Sequence, residues 1–483
     1  MAGETSRQSS SGSGTPASRD ASAGLEQKGS LGLPQATALI VGSIIGVGIF
    51  NLPGSLSAYG PITLLSMILV TTGALALALL FASLSKRLPA DGGPYAYARA
   101  AYGNRIGFFS AWSYWITAWA GNAAIVTGWV LYVEYLLTKA GENSPLGKWA
   151  LILIALVGLW VPALINLNGV NNMAAVQVIT TVLKFAALAV VSVIGIFYID
   201  TGNFTPWNVS GGSAISAIGT GLSLGVFSYL GVEVAAVAAG KVRDPDRNVP
   251  RASTMGTLAC AVVYLLSLFV VFGVVPNAEL QKSNAPFAAA VNTMFGGSWA
   301  GYVMAVAVVI SGFGALNGWT MICAEMPLAA AKDGLFPDQF GRMSSRGVPA
   351  FGIIASTVLA SVFTVVSYLG SAGYTVFNTL VFMSGITAAI PYGLSALAQI
   401  KWRITDGREL QTPRVVRDVI ISVVALVFSV LFIWYSRNTG EDQAWKVWLP
   451  FIFCGAAFVL GIPVYAAQRN RMTQPEPVPE YRP

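Results

Sequence analysis

Apolar residues in this chain fall in long runs separated by short polar segments, and the runs have the length of a bilayer crossing. A helix needs about 17 to 25 such residues to span hydrocarbon. Runs of that kind fall near 35–59, 62–85, 106–137, 149–167, 173–199, 214–239, 252–275, 298–331, 350–369, 374–400, 415–436 and 446–467. The pattern predicts an all-α membrane protein with twelve transmembrane helices. They follow one another too closely for separate soluble cores, so residues 31–470 read as one transmembrane domain. Residues 1–30, rich in Ser, Gly, Ala and Thr, and residues 471–483, rich in Pro, read as disordered tails. The first tail lacks the basic-then-apolar order of a secretory signal.

Two spans differ from the rest. Span 1 contains Gly42-Ser-Ile-Ile-Gly-Val-Gly48, and span 6 contains Ser228-Tyr-Leu-Gly-Val-Glu233. Both are expected to unwind there. Bare backbone at membrane depth is tolerated where it is buried or lines a cavity, and paired interruptions in the two halves of a chain point to a binding site. Close helix packing is the plainer use of such glycines, but two breaks at matching places, one ending in a carboxylate, favour a site. Spans 1 and 6 are five apart, as expected if residues 31–200 and 213–400 form inverted repeats, with helices 11 and 12 (414–468) added.

Composition agrees with a lipid environment. Charged residues are only 10% of the chain, against about a quarter in soluble domains. The net charge of +7 raises nucleic acid as a partner, but the cations are scattered through short loops with no interleaved aromatic patch, so none is expected. Membrane orientation explains them better. Of the 28 lysines and arginines, Lys139, Lys148, Lys282, Arg437 and Lys446 fall on one side and Lys184 lies within a span. All the others fall on the opposite side, which puts both termini in the cytoplasm. Cys260, Cys323 and Cys454 sit inside apolar runs without a pairing pattern, and the chain has no histidine. A zinc site, a disulfide framework and histidine chemistry are thereby excluded. No cofactor is expected, and no nucleotide loop or selectivity-filter repeat suggests an enzyme or a channel. Missing disulfides fit a bacterial inner membrane.

Several motifs over about 33–470 resemble the amino acid-polyamine-organocation superfamily, and within it the bacterial basic amino acid/polyamine antiporters of the arginine/agmatine type. They are Gly42-Ser-Ile-Ile-Gly-Val-Gly-Ile-Phe50, Gly92-Gly-Pro-Tyr-Ala-Tyr-Ala-Arg99, Tyr114-Trp, Gly121-Asn122, Gly231-Val-Glu233 running into Asp244-Pro-Asp-Arg-Asn-Val-Pro250, Gly318-Trp319 and Pro391-Tyr392. The resemblance implies a leucine-transporter-like fold, alternating access and a substrate site made of Ser43, Gly46, Gly48, Tyr114, Thr117, Ala118, Asn122, Phe227, Leu230, Glu233, Trp319, Ser384 and Tyr392. Backbone N–H groups at Gly46 and Gly48 would hold a substrate carboxylate, which a helix N-terminus suits in any case. Tyr114, Trp319 and Tyr392 match aromatic gates, whose rings attract cations. Asn122 is either a substrate contact or a hydrogen bond between helices. The resemblance also implies that the added helices can make a homodimer.

Glu233 and Lys184 are the charges set within the bilayer that chemistry must explain, because ions there are costly unless paired or facing a cavity. Glu233 is expected to face the cavity, and the resemblance implies a role there in amine binding or proton sensing. Lys184 lies well inside span 5, too far from either interface to snorkel. The resemblance gives it a proton-coupling role or that of a stand-in for a sodium ion. Glu134, near the end of span 3, is expected to be exposed. Phe227 stands where the antiporter type has a tryptophan, and Val47 where it has a serine, which puts arginine specificity in doubt. The expected function is exchange or import of a cationic amino acid (arginine, lysine or ornithine) or related amine. The alternative is a proton-coupled symporter of broader range.

Overall fold

The computed structural model describes residues 31–88, 92–139, 144–169, 173–237, 242–370, 374–405, 413–437 and 447–475. The expected tail at 1–30, and 476–483 of the other, lie outside the described residues. Helices make up the fold, and among the described residues the nearest thing to a sheet is one isolated bridge between Leu31 and Val242.

Helix α1 (Leu33–Ile44) starts with Pro34 in its first turn, where a missing N–H costs nothing, and α2 (Gly48–Ser57) follows after three residues. Next come α3 (Thr63–Arg87), α4 (Pro94–Tyr102), α5 (Asn104–Leu137), α6 (Lys148–Leu167) and α7 (Met173–Ile194). The second half opens with α8 (Ala214–Val226), one 3-10 turn at Phe227–Tyr229 and α9 (Val234–Val237). It continues with α10 (Pro245–Val274), α11 (Asn277–Leu280), α12 (Pro286–Phe295), α13 (Trp299–Lys332), α14 (Ala350–Gly370) and α15 (Tyr374–Thr405). Finally come α16 (Pro413–Tyr435) and α17 (Leu449–Gln468).

Eleven described helices are long and apolar enough to cross a membrane, with α1 and α2 together making one of them. The predicted span 214–239 is not among the eleven. Its helical part, Ala214–Tyr229, is shorter, because Leu230 turns extended and Gly231 takes φ +111°, a region that only glycine enters freely.

Burial sorts the helices into inner and outer. Of the apolar window of α5, 94% is buried, against 22% for α17, so α5 is the central post and α17 lies at the edge. The post packs on α13 and α15. Helix α6 instead shows Leu153, Val157, Val161 and Leu164, one turn apart, on an exposed apolar stripe. Apolar faces of this extent suit lipid.

Glu134 departs from the expectation of exposure. It is buried, and its Oε1 accepts the Leu146 N–H at 3.0 Å. A carboxylate at a helix end can be kept from water by a loop amide, which apolar periodicity does not register.

Ion pairs tie the ends of the bundle. Arg403 meets buried Asp418 at 2.5 Å, joining α15 to α16. Arg99 of α4 meets Asp333, just past α13, at 2.7 Å, and Tyr95 donates to the same carboxylate. Of the expected tail 471–483, residues 471–475 are described. Thr473 takes Arg99 Nη2 on its carbonyl and its hydroxyl, both at 2.8 Å, and Asn104 Nδ2 on its carbonyl at 2.9 Å.

Candidate substrate site

The break between α1 and α2 leaves a set of backbone groups that an unbroken helix would pair i to i+4. Gly46 N–H turns to Ile44 O at 2.8 Å, so the carbonyls of Gly42, Ser43 and Ile44 lose their helical partners. Each finds a side chain from a different helix. Lys184 Nζ of α7 donates to Gly42 O at 2.9 Å, Trp319 Nε1 of α13 to Ser43 O at 3.2 Å, and the Tyr264 hydroxyl of α10 to Ile44 O at 2.8 Å. These three carbonyls are thus satisfied by protein.

The amide side is not. Phe50 and Asn51 N–H both reach Val47 O, but the N–H groups of Val47, Gly48 and Ile49 have no acceptor among the described residues. Free amides at the start of a helix form a site for an anion, with the helix dipole adding to their pull.

The second break lies against the first. Gly231 is so close that an added Cβ would stand 3.0 Å from Ser43 C and Cβ, and a Cβ on Gly48 would stand 3.0 Å from the Phe227 ring. Between the breaks is a cavity of about 10 Å³, room for roughly one water. A ligand larger than a water therefore fits only if the surrounding helices part.

Six of the residues expected in the site line this cavity: Ser43, Gly46, Gly48, Phe227, Leu230 and Trp319. The others are set back. Tyr114 donates to Glu233 Oε1 at 2.7 Å, and Gly231 N–H reaches Glu233 Oε2 at 3.2 Å. Glu233 is fully buried and bonded to its own helix break. It is expected to face the cavity but is not among its walls. Tyr392 has its hydroxyl close to the same carboxylate, outside hydrogen-bonding geometry.

Thr117 and Ser384 join α5 to α15. Ser384 Oγ donates to Thr117 O at 2.9 Å, and Thr117 Oγ1 to Thr387 Oγ1 at 3.0 Å. Ala118 is buried in α5 and is not among the cavity walls. Asn122 Nδ2 bonds Thr320 Oγ1 at 3.1 Å, joining α5 to α13, while its Oδ1 is buried without a partner. Val47 carries its side chain towards Gly312 of α13.

Four cavity residues are missing from the sequence-based set: Ile44, Gly121, Ile125 and Ser228. Gly121 and Ile125 lie one turn apart on the α5 face that carries Tyr114 and Ala118, so helical spacing could have found them. Ser228 lies within the span 6 interruption itself.

Two helix breaks facing across a small buried cavity, inside a bundle of apolar helices of membrane length, define a multi-pass membrane carrier for a small molecule. A family model described as amino acid permease matches residues 31–460; the chain belongs to that family, within the amino acid-polyamine-organocation superfamily, is similar there to basic amino acid and polyamine antiporters, and is a transporter rather than an enzyme. It is 29% identical over 462 residues to an arginine/ornithine antiporter of Lactococcus lactis, covering 90% of this chain and 84% of the relative. An arginine/ornithine antiporter of Pseudomonas aeruginosa is 31% identical over 426 residues, 84% of this chain and 86% of the relative. A cadaverine/lysine antiporter of Escherichia coli is 28% identical over 403 residues, 82% and 88%.

Proposed function

We propose that the chain is a secondary active transporter that exchanges a cationic amino acid (arginine, lysine or ornithine) or a related amine across a bacterial inner membrane by alternating access. The observation that carries this is the row of free amides at Val47, Gly48 and Ile49 beside the cavity. They suit a carboxylate, while the Phe227 and Trp319 rings in the cavity walls suit a guanidinium or ammonium. The cavity walls carry no acidic side chain, so an amino acid is favoured over a bare amine. The names of the relatives support exchange of cationic substrates. Glu233, with Tyr114 and Tyr392, would respond to the substrate's charge once the helices part, and Thr117, Ala118, Asn122 and Ser384 would be uncovered by the same motion.

In this reading the interrupted element 214–237 completes twelve crossings in two inverted repeats of five, with α16 and α17 added and available for a homodimer. Both termini are cytoplasmic. A second reading, a proton-coupled symporter of wider range, is favoured by Lys184, whose Nζ is fully buried on Gly42 O. Uptake of labelled arginine, lysine, ornithine and putrescine into proteoliposomes separates the two. Uptake that needs internal substrate supports exchange. Accumulation under a pH gradient alone sinks obligate exchange and selects the symporter.

A further inference from the structure

We propose that the Ser228 hydroxyl is a specificity-determining contact of this transporter, holding the substrate carboxylate together with the free amides at the start of α2. The inference rests on reading the cavity as an amino acid site.

Ser228 is 2% exposed, and its Oγ is buried without a hydrogen-bond partner. Leaving a buried hydroxyl unpaired is unfavourable, and this one lines the cavity. The other hydroxyl in the cavity wall is that of Ser43, on the opposite break. Ser228 also lies beside the anion-seeking end of α2, since an added Cβ on Gly48 would be 3.7 Å from its Oγ. The Gly48 amide has no acceptor among the described residues. The unpaired Ser228 hydroxyl and the unpaired Gly48 amide thus border one cavity, with the free amides of Val47 and Ile49 flanking Gly48 along the chain. All of them can donate, and among the described residues no carboxylate meets them. Their common complement is an oxyanion with several lone pairs, which in an amino acid is the carboxylate. The amine made by decarboxylating that amino acid lacks the group and gains nothing from Ser228.

The test uses the full chain in proteoliposomes and compares arginine, lysine and ornithine with their decarboxylated amines agmatine, cadaverine and putrescine. Ser228→Ala is expected to raise the half-saturation concentration for the best-carried amino acid roughly 10- to 100-fold, the loss of one hydrogen bond to a charged group. Its maximal exchange rate and thermal midpoint stay near wild type, and competition by the matching amine is unchanged. Ser228→Cys, close in volume with only a weak S–H donor, shows the same one-sided loss and serves if alanine leaves the site unformed. Equal losses for acid and amine, or a lowered maximal rate at unchanged half-saturation, make Ser228 a packing residue and overturn the proposal. An unchanged half-saturation for the acid overturns it as well, leaving the amino acid reading intact. If the wild type carries the amines and none of the three amino acids, the amino acid reading fails and the role of Ser228 fails with it.

Discussion

Lys184 Nζ lies 2.9 Å from the carbonyl oxygen of Gly42, so a fully buried amine on α7 closes the helix break that borders the cavity. The carbonyl is available because Gly46 N–H has turned to Ile44 O. The lysine therefore senses the shape of the break directly: if α1 moves as the carrier opens, this bond lengthens or breaks.

Lys184→Ala is expected to abolish uptake driven by an imposed pH gradient while exchange between internal and external substrate stays measurable. The amine is a group at the break able to bind and release a proton, yet it lies outside the cavity walls. Gradient-driven uptake at wild-type rates in the variant would refute this role.

Trp319 makes the next bond along, from Nε1 to Ser43 O at 3.2 Å, and its ring also lines the cavity. Trp319→Phe keeps a ring and deletes the donor. A typical net loss of about 1 kcal/mol corresponds to roughly a fivefold change in an equilibrium. Half-saturation for the carried amino acid is expected to rise by about that factor, and Trp319→Leu, which also loses the cation-attracting face, to raise it further. The two variants behaving alike would remove any role for the ring.

For Glu233 the structure gives two donors, Tyr114 O–H and Gly231 N–H. Glu233→Gln keeps one acceptor oxygen for the Gly231 N–H, turns an amide N–H toward the Tyr114 hydroxyl, which can accept it, and deletes the charge. Affinity for cationic substrates should fall, and the dependence of exchange on pH should flatten, with little change in thermal midpoint. A pH profile that overlays wild type would show that this carboxylate is a structural acceptor only.

Much of this arrangement can be read along the chain. Length of apolar run marks the spans, and glycine beside polar groups marks both breaks, because such residues at membrane depth have few other uses. Partners distant in sequence are another matter. Nothing in the span 1 pattern says that the carbonyls of Gly42, Ser43 and Ile44 will find Lys184, Trp319 and Tyr264 on three other helices. Glu233 is a similar case. A charge at a helix break reads as cavity-facing, whereas Tyr114 and the local Gly231 amide draw it aside. Ser228 escapes notice for the opposite reason, since its distinguishing property is a missing partner, and that exists only once every neighbour is in place.

The two glycines that let the breaks meet should fail in different ways when replaced. Gly48→Ala places a Cβ 3.0 Å from Cδ1 of Phe227, a side-chain ring that can be shortened. Gly231→Ala meets the backbone carbon of Ser43 at 3.0 Å and must also hold φ +111°, a strain of about 1–3 kcal/mol for a residue with a Cβ. Gly48→Ala alone should therefore raise half-saturation strongly, and Phe227→Leu in the same chain should recover part of the loss. Gly231→Ala should lower thermal midpoint and transport together, with no recovery from Ser43→Gly, because the Ser43 carbon and the backbone strain both remain. Exchange assays and melting curves on the four variants check both halves. Recovery by Ser43→Gly would mean that the two breaks are held apart by a side chain, and that the contact between Gly231 and the α1 backbone does not set their spacing.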